Sequence, residues 1–211
     1  MAVDGNGLKA ALAAIAADME ASRDELCRLD GAIGDADHGI AMALGFAAAR
    51  DAAAGLGAEA EPTAVLNAAA KAFLSAVGAS CGPLYATALM RAGAAVKGKP
   101  ALGDDDVAAM LGAMAAGIRD RGKAEPGQKT MLDAWAPAAE AAAAARAGGA
   151  DLGASLAAAA AAAREGAEAT RGMVAAKGRA ERLGERARGH VDPGAASAAI
   201  VVEALRRGLT E

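Results

Sequence analysis

Gly7-Leu8-Lys9-Ala10-Ala11-Leu12-Ala13-Ala14-Ile15-Ala16-Ala17-Asp18-Met19 is the stretch that decides the fold class. Leu8, Leu12, Ile15 and Met19 recur at the spacing of one helix face, and alanine fills most positions between them. The same grammar runs through the chain. Alanine supplies roughly a third of its residues, far above ordinary usage. Aromatics are 2% and hydrophobics 55% of the 211 residues. Alanine is the best helix former, whereas strands draw on the β-branched and aromatic residues that are scarce here. The chain therefore reads as all-α, and its length suits a single domain over residues 1–211.

Outward from that first stripe, which extends to Leu26, further helices follow between glycine-bearing turns. One runs from about Gly39 to Arg50, with Met42, Leu44 and Phe46. Others open at Pro62 and Pro83, since proline suits the first helical turn. Asp104, Asp105 and Asp106 read as a cap with acidic first-turn residues ahead of Val107, Met110, Leu111, Met114 and Ile118. Three more span Thr130–Arg146, about Asp151–Met173 and about Gly194–Arg207. The expectation is eight helices and no strand.

Several function classes fall away. A net charge of −4 offers no basic footprint for nucleic acid. The uncharged runs are alanine-rich and too short to span a bilayer, and the N-terminus lacks the build of a signal peptide. Cys27 and Cys81 make no disulfide framework. The reading is a cytoplasmic protein with free thiols.

Polar chemistry gathers in four turns, residues 29–39, 78–83, 119–131 and 177–194. Antiparallel neighbours bring alternate turns to one end of a bundle. The first turn, Leu29-Asp30-Gly31-Ala32-Ile33-Gly34-Asp35-Ala36-Asp37-His38-Gly39, packs three carboxylates among glycines ahead of a helix start. Hard oxygen ligands suit Mg²⁺, and a helix N-terminus favours phosphate. The spacing fits neither an EF-hand nor a P-loop. A capped turn with solvated aspartates is the plain alternative.

These turns resemble, in order, the motifs of the dihydroxyacetone kinase L subunit, the nucleotide-binding subunit of bacterial dihydroxyacetone kinases. The likeness lies in Ile33–Gly39 with Met42 and Gly45-Phe46, in Gly82-Pro83-Leu84-Tyr85, and in Arg121–Met131 with Asp133, Trp135 and Pro137. It continues through Lys177–Ala180, Leu183–Arg186 and Gly189–Ala195 with Ser197. Ala41, Cys81, Gln128 and Ala196 depart from the family pattern, which has Asn, a hydroxyl residue, Asp and Thr there.

The resemblance implies an antiparallel up-and-down eight-helix barrel with a nucleotide–Mg pocket at one end. It implies that Asp30, Asp35 and Asp37 hold two Mg²⁺ against ADP or ATP. His38, Gly39, Ile40, Ala41, Ser80, Cys81 and Arg179 would lie at the phosphates. Gly122, Thr130 and Met131 would line the adenine side, with Asp192, Pro193 and Gly194 closing the pocket. It further implies a separate K subunit that carries dihydroxyacetone. A phosphohistidine-bearing M subunit of the phosphotransferase system would recharge the nucleotide in place. Alternatives are free ATP exchange, a related ketose such as erythrulose, and an ADP-loaded module docking on a transcriptional regulator. A homodimer stays open, and an alanine-rich structural bundle is the reading without chemistry.

Overall fold

The computed structural model describes residues 2–210. The chain is helical nearly throughout: α1 (Gly5–Ala21), α2 (Arg23–Ile33), α3 (His38–Ala54), α4 (Pro62–Ala76) and α5 (Cys81–Ala95), then α6 (Asp104–Gly122), α7 (Leu132–Ala147), α8 (Leu152–Ala169) and α9 (Pro193–Thr210). Short 3-10 turns cover Thr170–Gly172 and Arg179–Ala187. Helices α1, α3, α4, α5, α6, α7, α8 and α9 pack each on the next, and α9 closes back on α1. This is the expected eight-helix ring. The ninth helix arises because the first predicted helix breaks at Ser22, where α2 continues the chain beyond α1.

One expectation is corrected. Val3–Asp4 pairs antiparallel with Ala101–Leu102 (β1 and β2), tying the N-terminus to the α5–α6 connection. A two-residue ladder carries no alternation that a sequence could reveal. A second correction concerns α6. Its cap is Gly103, whose N–H donates to Asp106 at 3.0 Å, while Asp104 accepts from Leu152 N at 3.0 Å and pairs with Arg146.

Local chemistry sets the helix ends. Asp4 and Asp151 accept from the N–H groups of Gly7 and Ala154 at 2.9 and 2.8 Å, capping α1 and α8. The α7 C-terminus closes with Gly149 at φ 84°, Gly149 N on Arg146 O at 2.9 Å and Ala150 N on Ala145 O at 3.0 Å. That pair of bonds, around a left-handed glycine, satisfies carbonyls the helix leaves free.

Small residues let the helices approach. A methyl on Gly208 would lie 2.5 Å from Ala11 Cα, and one on Gly45 would lie 2.4 Å from the Phe73 ring. Pro137, lacking an N–H, frees the carbonyl of Asp133, and the Gly166 backbone packs against that oxygen, where a Cβ would sit at 2.0 Å. The two phenylalanines, the tyrosine and the tryptophan are all the aromatics of the sequence. They form one buried group, with Phe46–Phe73, Phe46–Tyr85 and Tyr85–Trp135 centroids 5.0, 5.4 and 6.3 Å apart. Trp135 thus belongs to the core.

The up-and-down course has a functional consequence. The N-termini of α3, α5, α7 and α9 emerge at one end of the ring, interleaved with the C-termini of α2, α4, α6 and α8. Four positive dipole ends therefore gather where the polar turns lie.

Candidate nucleotide and metal site

At that end lies a cavity of about 470 Å³. Asp30, on the last turn of α2, is buried, and its Oδ2 accepts from Asp37 N at 3.0 Å and His38 N at 3.3 Å. One carboxylate thereby folds the loop back and caps α3. The loop is tight. Gly34 N reaches Asp30 O at 2.5 Å, and a Cβ on Gly34 would lie 2.1 Å from Asp30 Oδ1. Ala36 sits at φ 63°, a left-handed conformation costly to any residue with a side chain. The result brings oxygens of Asp30, Asp35 and Asp37 within 4.8 Å of one another. Arg179 contacts Asp35 directly and reaches Asp37 at 3.8 Å. Three hard carboxylates, two of them sharing a single guanidinium, fit a divalent cation such as Mg²⁺.

His38 opens α3. Ser197 Oγ donates to Gly194 O at 2.9 Å, so it accepts from His38 Nε2–H, also at 2.9 Å. Burial pulls the imidazole below its ordinary pKa, with Asp30 partly opposing. His38 is thus neutral at pH 7, protonated on Nε2, with Nδ1 left as an acceptor. Ser197 also bonds the buried Tyr85 hydroxyl, which accepts from Trp135 Nε1–H at 3.5 Å. A continuous polar chain runs from the cavity wall into the aromatic core.

The other turns complete the wall. Burial pushes the Cys81 thiol up to about 11, so it stays protonated, while Ser80 beside it is exposed. Gly82 needs its missing side chain, since a Cβ would lie 2.3 Å from Val77 O. Asp133, buried, accepts from Thr130 N at 2.8 Å and from Gly127 N, which orders the third turn. Asp192 caps α9 by accepting from Ala195 N at 2.7 Å. Burial pushes its carboxyl up to about 7, against the pull of that bond and of Lys129.

Of the residues named from the sequence, Asp30, Asp35, Asp37, His38, Ala41, Ser80 and Cys81 line the cavity, as do Gly122, Thr130, Met131, Arg179, Asp192, Pro193 and Gly194. Gly39 and Ile40 do not. Gly39 presses on Arg23 O, where a Cβ would sit at 2.0 Å, and the Ile40 side chain is 49% exposed. What these two offer is backbone N–H in the first turn of α3. His190 is exposed, and its carbonyl rather than its ring serves the turn, by accepting from Lys129. From the sequence alone, Lys129 reads either as a charge near the site or as a surface lysine. It is 1% exposed, sits at φ 60°, and donates to Thr170 O at 2.6 Å as well as to His190 O. No sequence pattern marks a lysine that is buried to serve carbonyls. Leu84, Ile118 and Ala124 give the end of the cavity near Gly122 and Met131 an apolar face.

A closed ring of up-and-down helices with one polar cavity at an end defines the class of protein. The DAK2 domain model matches residues 32–207, and the chain belongs to that family. It is 38% identical over 180 residues to the PEP-dependent dihydroxyacetone kinase ADP-binding subunit DhaL of Escherichia coli K12, covering 85% of each chain. It is likewise 38% identical over 192 residues to the subunit of the same name from dihydroxyacetone kinase 2 of Listeria innocua, covering 90% of this chain and 88% of that one. The L-erythrulose 1-kinase of Mycolicibacterium smegmatis is 38% identical over 203 residues, but the chain spans only 34% of it. Among solved structures, the native dihydroxyacetone kinase of C. freundii matches with TM-score 0.73 and 25% identity, over 95% of this chain and 34% of that one. The family is therefore that of dihydroxyacetone kinase L-type subunits, a phosphotransferase family. Among the described residues no helix is long and apolar enough to cross a membrane.

Proposed function

We propose that the chain is the ADP/ATP-binding subunit of a dihydroxyacetone kinase and supports phosphoryl transfer together with a separate K-type subunit holding the ketose. One observation carries this reading: the acidic trio and four helix N-termini meet at one cavity whose other end is apolar. Asp30, Asp35 and Asp37 would hold two Mg²⁺, which when bound neutralise phosphate charge and orient the phosphoryl group. The first-turn N–H groups of α3 and α5 face anionic oxygens, with the nearby Cys81 thiol a weak donor. Neutral His38 presents Nδ1 as an acceptor for a water or hydroxyl donor beside the phosphates, and the half-exposed Arg179 brings a positive charge. Leu84, Ile118 and Met131 exclude water around an adenine ring.

The E. coli and L. innocua relatives are named PEP-dependent and that of Lactococcus lactis PTS-dependent. On that pattern, an M subunit carrying phosphohistidine recharges the nucleotide in place. Native mass spectrometry of protein purified without added nucleotide tests this: a retained ADP mass is expected, and a nucleotide-free protein that exchanges ATP freely counts against it. Asp35→Asn should abolish both metal binding and K-dependent phosphorylation. Survival of the latter would remove the site assignment. Erythrulose is the second reading, favoured by the M. smegmatis relative, and competition between the two ketoses with a purified K subunit decides it.

A further inference from the structure

We propose that Arg179 is a built-in counter-ion of the acidic trio, competing with the divalent cation for Asp35 and Asp37 and released when the cation loads. The inference rests on the reading of Asp30, Asp35 and Asp37 as cation ligands. Arg179 belongs to a strap, residues 171–190, whose two ends are pinned together. Gly189 N donates to Arg171 O at 2.8 Å, Arg171 Nη1 donates to Gly189 O at 3.1 Å, and the buried Lys129 bridges Thr170 O and His190 O. Its tip has much less holding it. Ala180, Ala187 and Leu183 rest on Ile33 in a small apolar group apart from the main core. Gly178 and Gly184, at φ 72° and 54°, bracket the stretch between them with left-handed joints. The remaining tethers are one backbone bond, from Ala176 N to Gln128 O at 3.2 Å, and, at the tip, the ion pair of Arg179 with Asp35 and Asp37.

That pair uses carboxylate oxygens a cation would need. A divalent ion entering the trio would also meet the guanidinium as a like charge at contact range. The two occupancies therefore exclude each other. With side-chain exposures of 52%, 46% and 50% for Arg179, Asp35 and Asp37, the ion pair is solvent-screened and weak. It offsets part of the negative charge of the trio when no cation is present, yet yields to one. The freed guanidinium stays on a pinned strap at the cavity mouth, where the next anion within reach is phosphate. Cation loading thus prepares the strap to close on the nucleotide.

The test uses the nucleotide-free full chain and Mn²⁺ as probe, with affinities from calorimetry or electron paramagnetic resonance. Arg179→Gln should bind Mn²⁺ ~2- to 5-fold more tightly than the wild type, while binding MgADP more weakly. Mn²⁺ alone should speed tryptic cleavage within the strap of the wild type and leave the already loosened Arg179→Gln unchanged. Equal or weaker Mn²⁺ binding by Arg179→Gln, with binding lost in Asp35→Asn, overturns the competition and leaves the metal assignment standing. Mn²⁺ binding by Asp35→Asn at wild-type strength overturns the metal assignment and the proposal with it. No measurable Mn²⁺ binding to Arg179→Gln also overturns the proposal.

Discussion

Ser197→Ala should damage stability and ligand affinity together, because one hydroxyl serves both the core and the cavity wall. Ser197 is fully buried; it accepts from His38 Nε2–H at 2.9 Å, bonds the Tyr85 hydroxyl and donates to Gly194 O at 2.9 Å. Truncation leaves Gly194 O with its helical partner, so the loss falls on the other two groups. Tyr85 has no route to water, and an unsatisfied buried donor costs about 1–3 kcal/mol. His38 lines the cavity, so water can replace part of its bond, and a total near ~2 kcal/mol follows. For a chain of this size that lowers Tm by about 4–8 °C. The imidazole also loses the contact that fixes its ring. Ordering a side chain costs about 0.5–1.5 kcal/mol, so MgADP should bind about 2- to 10-fold more weakly. Thermal melts by circular dichroism, with and without MgADP, read the first quantity. Trp135, the sole tryptophan, reads the second by fluorescence, since it touches the Tyr85 end of the chain. An unchanged Tm refutes the buried network. A lowered Tm with wild-type MgADP affinity refutes the role given to His38.

Three further outcomes are expected. Mg-nucleotide at 100 times its Kd should stabilise the fold by about 2.7 kcal/mol, raising Tm by about 5–10 °C, and chelation with nucleotide removal should reverse this; a static Tm would mean the cavity binds neither. Ala36→Gly should leave stability within about 1 kcal/mol of wild type, because the gain at φ 63° offsets added unfolded-state entropy. Ala36→Val should cost more than that and weaken metal binding, β-branched residues being outliers in that region, so matching denaturation midpoints for the two would count against strain in the loop. Asp192 has a folded pKa raised from 3.8 to about 7, so its stabilising protonated form is retained below about pH 4 and lost as pH rises towards 7. Asp192→Asn keeps an acceptor for Ala195 N and should gain about 1–3 kcal/mol over wild type at pH 8 in nucleotide-free protein. That advantage should vanish at pH 4, and one independent of pH would sink the assignment.

What could be read from the residues alone follows a physical line. The acidic trio was legible because its residues lie within eight positions and one loop determines their meeting. Amphipathic stripes were legible because each helix carries its own phase. The break at Ser22 was hidden for the same reason. Leu26 follows Met19 by seven residues, two helical turns, so the stripe keeps phase across the kink. Arg179 was placed near the phosphates by resemblance alone, and its contact with Asp35 depends on how a distant strap folds. Lys129 was illegible altogether, since its two acceptors are backbone carbonyls with no side-chain signature.

Composition and site explain each other through the aromatic group. Each buried alanine removes little apolar area from water, so the ring walls gain modestly per residue. The large side chains are concentrated instead. Phe46, Phe73, Tyr85 and Trp135 come from α3, α4, α5 and α7, and three of the four stand close to the helix ends that border the cavity. Displacing any one of these rings forfeits dispersion attraction to its neighbours, and the Tyr85–Ser197–His38 chain couples the group to the wall. The rigid part of the barrel is therefore the floor of the cavity. The opposite side, the strap, is fastened at its base by Lys129 and backbone bonds, and at its tip only by a small apolar group on Ile33 and an exposed ion pair. A nucleotide site needs that asymmetry: a fixed surface to hold phosphate geometry against, and a loose one to admit ligand and partner.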